Sequence, residues 1–173
     1  MAINVYKGGK IMPNHTYNRL TSSSNVINRL ITVDKEEGHY VNFNNVIPMP
    51  PHQPDLNKPN PFFADGPLGS DDEEKFGIEN CWYGWSINNW GTKWNAYDTT
   101  YDVAMPNIVE FFTAWNPPMP VLQKLSEMFP DVTIHLHTED EGGGFSADIE
   151  LLNGEIISNV EADYDYYNRV HYK

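Results

Sequence analysis

A single cysteine, Cys81, stands among the 173 residues, which leaves no partner for an intrachain disulfide and no cysteine set for a structural zinc site. A reducing compartment, the cytoplasm, is the expected location. No apolar run reaches the roughly 18 residues that a membrane-spanning helix needs. The opening MAINVYKGGKIMPN also lacks the apolar core of a secretory signal. Basic side chains are scarce as well, 11 Lys and Arg against 24 Asp and Glu, for a formal charge of −13. A field of that sign repels phosphate backbones, so direct DNA binding and attachment to an anionic membrane are not expected.

The acidity is unevenly placed. Residues 1–60 carry six basic and four acidic side chains, residues 61–173 five basic and twenty acidic. Between Lys124 and Arg169 eleven carboxylates occur with no Lys or Arg among them. What is abundant is ring area: five Trp, ten Tyr and eight Phe, too much for a chain that stays unfolded. Length and composition together fit one domain with one core.

Hydrophobic periodicity gives an order of elements. HTYNRLTSSS reads as a first strand, SSSNVINRLITVDK as a short capped helix, and HYVNFNNV as a strand. Residues 48–72 hold seven prolines and two glycines, which excludes both helix and ladder there, and the insertion is taken to extend over 48–80. ENCWYGWSINNWGTKW suggests a short helix broken at Gly91. AYDTTYDVAMP and NIVEFFTAW form a hairpin turning at Pro106 and Asn107. PPMPVLQKLSEMF places Val121, Leu122, Leu125, Met128 and Phe129 on one helical stripe. VTIHLHTE points Val132, Ile134 and Leu136 one way and Thr133, His135, His137 and Glu139 toward water. FSADIELL alternates similarly, with Phe145, Ala147, Ile149 and Leu151 on the apolar side, and Asn153-Gly154 is a two-residue hairpin signal into EIISNVEAD. The core is expected where Val121, Leu125, Met128 and Phe129 meet the apolar sides of these last strands. The economical architecture is α+β, an antiparallel sheet with two or three helices on one face.

Several blocks resemble a known family. Met12-Pro13-Asn14, Asn18-Arg19-Leu20, Phe43-Asn44 with Ile47-Pro48-Met49-Pro50, Trp90-Gly91-Thr92-Lys93-Trp94 with Ala96-Tyr97-Asp98, Phe112-Thr113-Ala114-Trp115 with Pro117-Pro118, and Glu139 to Phe145 are similar, in content and order, to the YubB-like ferredoxin-fold family of phage and plasmid proteins. His15 and Thr16 stand where that family carries a Trp and a Cys. The resemblance implies a ferredoxin-like two-layer sandwich and a mobile-element origin, with no chemistry assigned to single residues. It divides the chain into a leader, 1–11, and a single domain, 12–173.

No catalytic set is visible. Cys81 has no local nucleophile signature, and Glu139-Asp140-Glu141-Gly142-Gly143-Gly144 lacks the lysine and the helix of a phosphate cradle. His135 and His137 project from one strand face with Glu139 and could hold a divalent ion, but a third strong ligand is not specified, so neither metal nor cofactor is expected. The tryptophans have two readings, a core between helix and sheet or a stacking platform, with Lys93 over a ring or reaching an anion. The expected function is non-enzymatic: a mobile-element accessory protein that binds a host protein with a basic groove, as a nucleic-acid-mimicking inhibitor of a defence nuclease or CRISPR-type effector. The partner-binding candidates are Glu139, Asp140, Glu141, Asp148, Glu150, Glu161, Asp163 and Asp165, with Trp90, Lys93 and Trp94. The alternatives are a nucleotide or single-stranded RNA module using the sheet face and tryptophans, and a small enzyme.

Overall fold

The structure, a computed structural model, describes residues 14–53, 55–59, 61–63 and 74–167. The leader 1–11, Met12-Pro13 of the first block and part of the 48–80 insertion lie outside these residues. Strand β1 (His15–Thr21) is followed by α1 (Ser24–Leu30), β2 (Ile31–Asp34) and β3 (Gly38–Val41). After the insertion come α2 (Trp82–Trp90), β4 (Tyr97–Thr100), β5 (Ile108–Ala114), α3 (Met119–Met128), β6 (Ile134–Asp140), β7 (Ser146–Leu152) and β8 (Glu155–Glu161). Six strands form one sheet in the order β4-β5-β1-β6-β7-β8, with every neighbouring pair antiparallel.

Register explains the core. Leu20 pairs with Val109 on one side and Leu136 on the other, and Leu136 pairs with Ile149, so one apolar row crosses four strands. Against that row pack Val26, Ile27 and Leu30 of α1, Trp90 of α2 and Val121, Leu122 and Leu125 of α3, all in one buried cluster. These three helices therefore cover one face, and among the described residues the opposite face is left open except where residues 165–167 return across it. On α3 the buried stripe is Val121, Leu122, Leu125 and Ser126, while Met128, expected inside, is 39% exposed at the last helical position. The Ser126 hydroxyl instead accepts a hydrogen bond from the Gly154 N–H and so docks the β7–β8 turn on the helix. Phe129 and Val132 pack at the core margin, and Phe145 is half-buried outside the cluster.

Two expected elements change type. Residues 31–34, read as helix, form β2 because the consecutive β-branched Ile31, Thr32 and Val33 favour extended backbone. Asp34 then accepts hydrogen bonds from the N–H groups of Glu36 and Glu37, and Gly38 at φ +76° closes the hairpin onto β3. The strand expected through Val46 stops at Val41, where the Asn42 side chain caps a 3-10 turn over Phe43–Asn45. In the insertion, Gln53 and Phe62 exchange backbone hydrogen bonds and Phe63 bridges to Cys81. The buried Phe62 ring meets Trp85 edge-on, so this part of the loop is packed onto α2.

Candidate functional site

The open face of the sheet carries the ionisable side chains that β1, β5, β6 and β7 turn away from the helices. Arg19 lies in register between Glu110 and His137, His137 between Arg19 and Asp148, and His135 between Thr21 and Glu150. The side chains follow the register. Arg19 Nε lies 3.7 Å from Glu110, His135 Nδ1 3.1 Å from Glu150 and His137 Nδ1 2.7 Å from Asp148. Together with Glu161, Ala162, Asp163 and Asp165, which follow β7 and border the same space, they line a groove of about 960 Å³. Five carboxylates line it against one Arg and two His.

One end of this face is closed by the segment after β8. Glu139, expected on the wet face, has no exposed surface. Its Oε1 accepts from the N–H groups of Asp165 at 2.6 Å and Tyr166 at 2.7 Å, and Oε2 accepts from Tyr167 at 3.2 Å. His137 Nε2 lies 2.6 Å from the same carboxylate. The Tyr166 ring stacks on Tyr17 with centroids 4.1 Å apart and meets Phe112 edge-on. Burial pushes the Glu139 carboxyl up, but the bonds from His137 and the three backbone N–H groups prevail and hold it below its ordinary value. Burial likewise pushes the His137 imidazole down, and its bonds to Glu139 and Asp148 with their charges raise it above the ordinary value. With a carboxylate at each ring nitrogen, both nitrogens must donate, so the arrangement holds an imidazolium.

The sequence-predicted residues thus separate into groups. Asp148, Glu150, Glu161, Asp163 and Asp165 come together around the groove. Glu139 is corrected from surface to buried anchor, because the segment at 165–167 folds over it. Asp140 is also buried, accepting from the Gly144 N–H inside the turn it was expected to expose. Glu141 stays exposed and accepts from the His15 N–H. Trp90, Lys93 and Trp94 sit at and beyond the end of α2 and do not line the groove. Trp90 is core, its indole N–H bound to the Ile47 carbonyl and its ring edge-on to Phe43 and Trp85. The Lys93 ammonium lies 4.6 Å from the Trp94 ring and 5.3 Å from that of Trp115, a cation–π contact at a side chain only 7% exposed. Burial lowers its pKa.

Among the described residues no three His, Cys, Asp or Glu side chains are grouped to hold a metal ion. His137 is spent on two carboxylates, and Glu139 on backbone donors. Tyr17 and Tyr166 were not singled out from sequence, and Arg19 only within the Asn18-Arg19-Leu20 block, not as a site residue. The period-2 pattern of β1 puts Tyr17 and Arg19 on one side, but nothing local says which strand will stand beside them.

Comparison with known proteins agrees with the fold. Residues 89–171, from the end of α2 to beyond β8, match the model of a family described as the ferredoxin-like domain in Api92-like protein. No curated protein matches the chain in sequence. Among solved structures, the crystal structure of a protein api92 from Yersinia pseudotuberculosis is similar at 16% identity, with a TM-score of 0.43, over 49% of this chain and 31% of that one. The match therefore spans less than a third of that protein's length. The chain has a ferredoxin-like α+β fold, and its second half is similar to the domain found in Api92-like proteins.

Proposed function

We propose that the protein is a non-enzymatic binding protein whose acidic open sheet face meets a basic groove of another protein. The observation that supports this is the groove itself, where Asp148, Glu150, Glu161, Asp163 and Asp165 converge from separate stretches of chain. Carboxylates gathered in a concave surface focus their field and steer a positive partner toward it. The resemblance to YubB-like phage and plasmid proteins extends the reading. On that basis the partner is a host protein in the cytoplasm whose own basic groove ordinarily takes nucleic acid, as in a defence nuclease or CRISPR-type effector. The single-stranded RNA reading has less support, since the groove has the wrong sign for phosphate and the tryptophans of α2 belong to the other layer.

The test is affinity capture from host lysate at low and high salt, followed by association kinetics of the captured partner. Replacing Asp148, Glu150 and Glu161 with Lys is expected to slow association by about tenfold and flatten its salt dependence. Equal association rates for the wild-type and charge-reversed proteins would remove the groove as the contact. Capture of nucleic acid in place of a protein would overturn the reading.

A further inference from the structure

Two sequence blocks that the groove leaves unused, the one around Thr92 and the one around Ala114, meet at a buried cation. The Thr92 hydroxyl donates to the Ala114 carbonyl and accepts from the Ala114 N–H. The residues that follow them, Lys93 and Trp115, are brought side by side, with the ammonium 5.3 Å from the Trp115 ring and 4.6 Å from that of Trp94. Trp115 keeps this place at φ +72°, a left-handed conformation that is costly for a bulky side chain. Its N–H donates to the Asn14 carbonyl and the Thr113 hydroxyl to the Asn116 carbonyl, which pins the turn. Lys93 is the one Lys or Arg among the described residues that is buried. The two ring faces offset part of the cost of taking its charge out of water, but they leave the ammonium donors without an oxygen acceptor. Among the described residues none supplies one, although the chain holds 24 Asp and Glu, and burial lowers the Lys93 pKa with no carboxylate opposing it. The indole N–H groups of Trp94 and Trp115 have no acceptor either, unlike that of Trp90. None of these three nitrogens is sealed from solvent.

We propose that Lys93, Trp94 and Trp115 form a binding site for a carboxylate carried on a flat aromatic body, an aryl carboxylate. Donors without acceptors call for an acceptor-rich group, and the single ammonium supplies one positive charge. A carboxylate matches that charge. A phosphate group carries about −1.5 to −2 near neutral pH, and so meets more of the repulsion of a chain at −13 for the same one cation. The half-buried rings of Trp94 and Trp115 supply apolar area for the aromatic body. The site shares no residue with the acidic groove, so it stands or falls independently of the protein-binding reading.

Titration of the full chain with benzoate, followed on the indole N–H peaks of a proton–nitrogen correlation spectrum, tests the site. Trp94→Phe and Trp115→Phe assign the two peaks that matter. Benzoate is expected to shift both in a saturable way and to leave the Trp90 peak, bonded to the Ile47 carbonyl, in place. Benzamide, the same ring without the charge, and inorganic phosphate are each expected to bind more weakly by about tenfold or more. Lys93→Met, which keeps an unbranched apolar side chain and removes the charge, is expected to weaken benzoate binding by about tenfold or more while the Trp90 peak and the sheet amides hold their positions. No saturable shift with benzoate, or shifts confined to other tryptophans, would overturn the site. Benzamide bound as tightly as benzoate would reduce it to apolar contact, and phosphate bound as tightly would show that a carboxylate is not what is recognised; either result overturns the proposal. Undiminished binding by folded Lys93→Met would do the same. Should Lys93→Met fail to fold, the comparison of benzoate with benzamide on the wild type decides.

Discussion

Glu139 and His137 are two residues apart on one strand, and each has its charge state set by the other's position. The sign of their pH dependence follows. His137 gains its proton more readily folded than unfolded, so its contribution to stability is fully present below the ordinary pKa of 6.5 and is lost as pH rises through the raised folded value. Glu139 behaves oppositely: its contribution is present above the ordinary 4.5 and is lost as pH falls through the lowered folded value. The wild type is therefore expected to lose urea stability on going from pH 6 to alkaline pH, and His137→Gln to lose distinctly less over the same interval. Parallel stability profiles for the two proteins would show that the imidazolium is not held as the geometry indicates. Replacing Glu139 with Ala is expected to cost about 1 to 3 kcal/mol in denaturant unfolding, as hydrogen bonds to a charged group are lost.

At the scale of elements, α2 and α3 illustrate two kinds of dependence. In α2 the helix interior holds Gly84, and a Cβ there would run into the Ile78 side chain and come within 2.9 Å of the Ile78 carbonyl oxygen. Gly→Ala in an open helix gains about 1 kcal/mol from propensity. Here the backbone contact reverses that sign, so Gly84→Ala is expected to lower the melting temperature, and a rise would show that the 78–80 turn yields freely. In α3, Leu125 is fully buried against the sheet. Leu125→Ala is expected to cost about 2 to 5 kcal/mol through lost transfer energy and the cavity left behind, measured by urea unfolding. An unaffected midpoint would take this face out of the core.

For the whole molecule the relevant quantity is the imbalance of charge, −13 in total and concentrated after residue 60. A compact body of one sign repels itself, so carboxylates kept on one face weaken the fold slightly where they are not paired. The exposed groove residues Asp148 and Glu161 differ in this, one accepting a hydrogen bond from His137 and the other sitting on the outermost strand. Glu161→Lys is expected to leave stability unchanged or raise it by about 0.5 kcal/mol at low salt, with the gain vanishing at high salt. A marked loss of stability in Glu161→Lys would mean that this carboxylate is structural, and would weaken the case that it is kept for binding.

The antiparallel α+β sandwich, the α3 helix, the β7–β8 turn at Asn153-Gly154 and the end of α2 at Gly91 were legible in the chain, because each is decided by neighbours within a few residues. Apolar spacing sets the stripe on α3, and residues at positive φ, 49° at Asn153, 81° at Gly154 and 77° at Gly91, suit the turns that need them. Gathering Asp148, Glu150, Glu161, Asp163 and Asp165 around one groove was anticipated only as a one-signed surface, since alternation gives the face but not the strand order. The fates of Glu139 and Trp90 lay beyond local pattern. Alternation put Glu139 in water, and only the return of residues 165–167 across the sheet buried it. Trp90 served equally as platform or core until the Ile47 carbonyl and Phe43, more than forty residues earlier in the chain, came to meet it. Local propensity acts through the backbone and reaches about one turn or one strand, whereas burial is settled by whichever distant segment arrives to exclude the water.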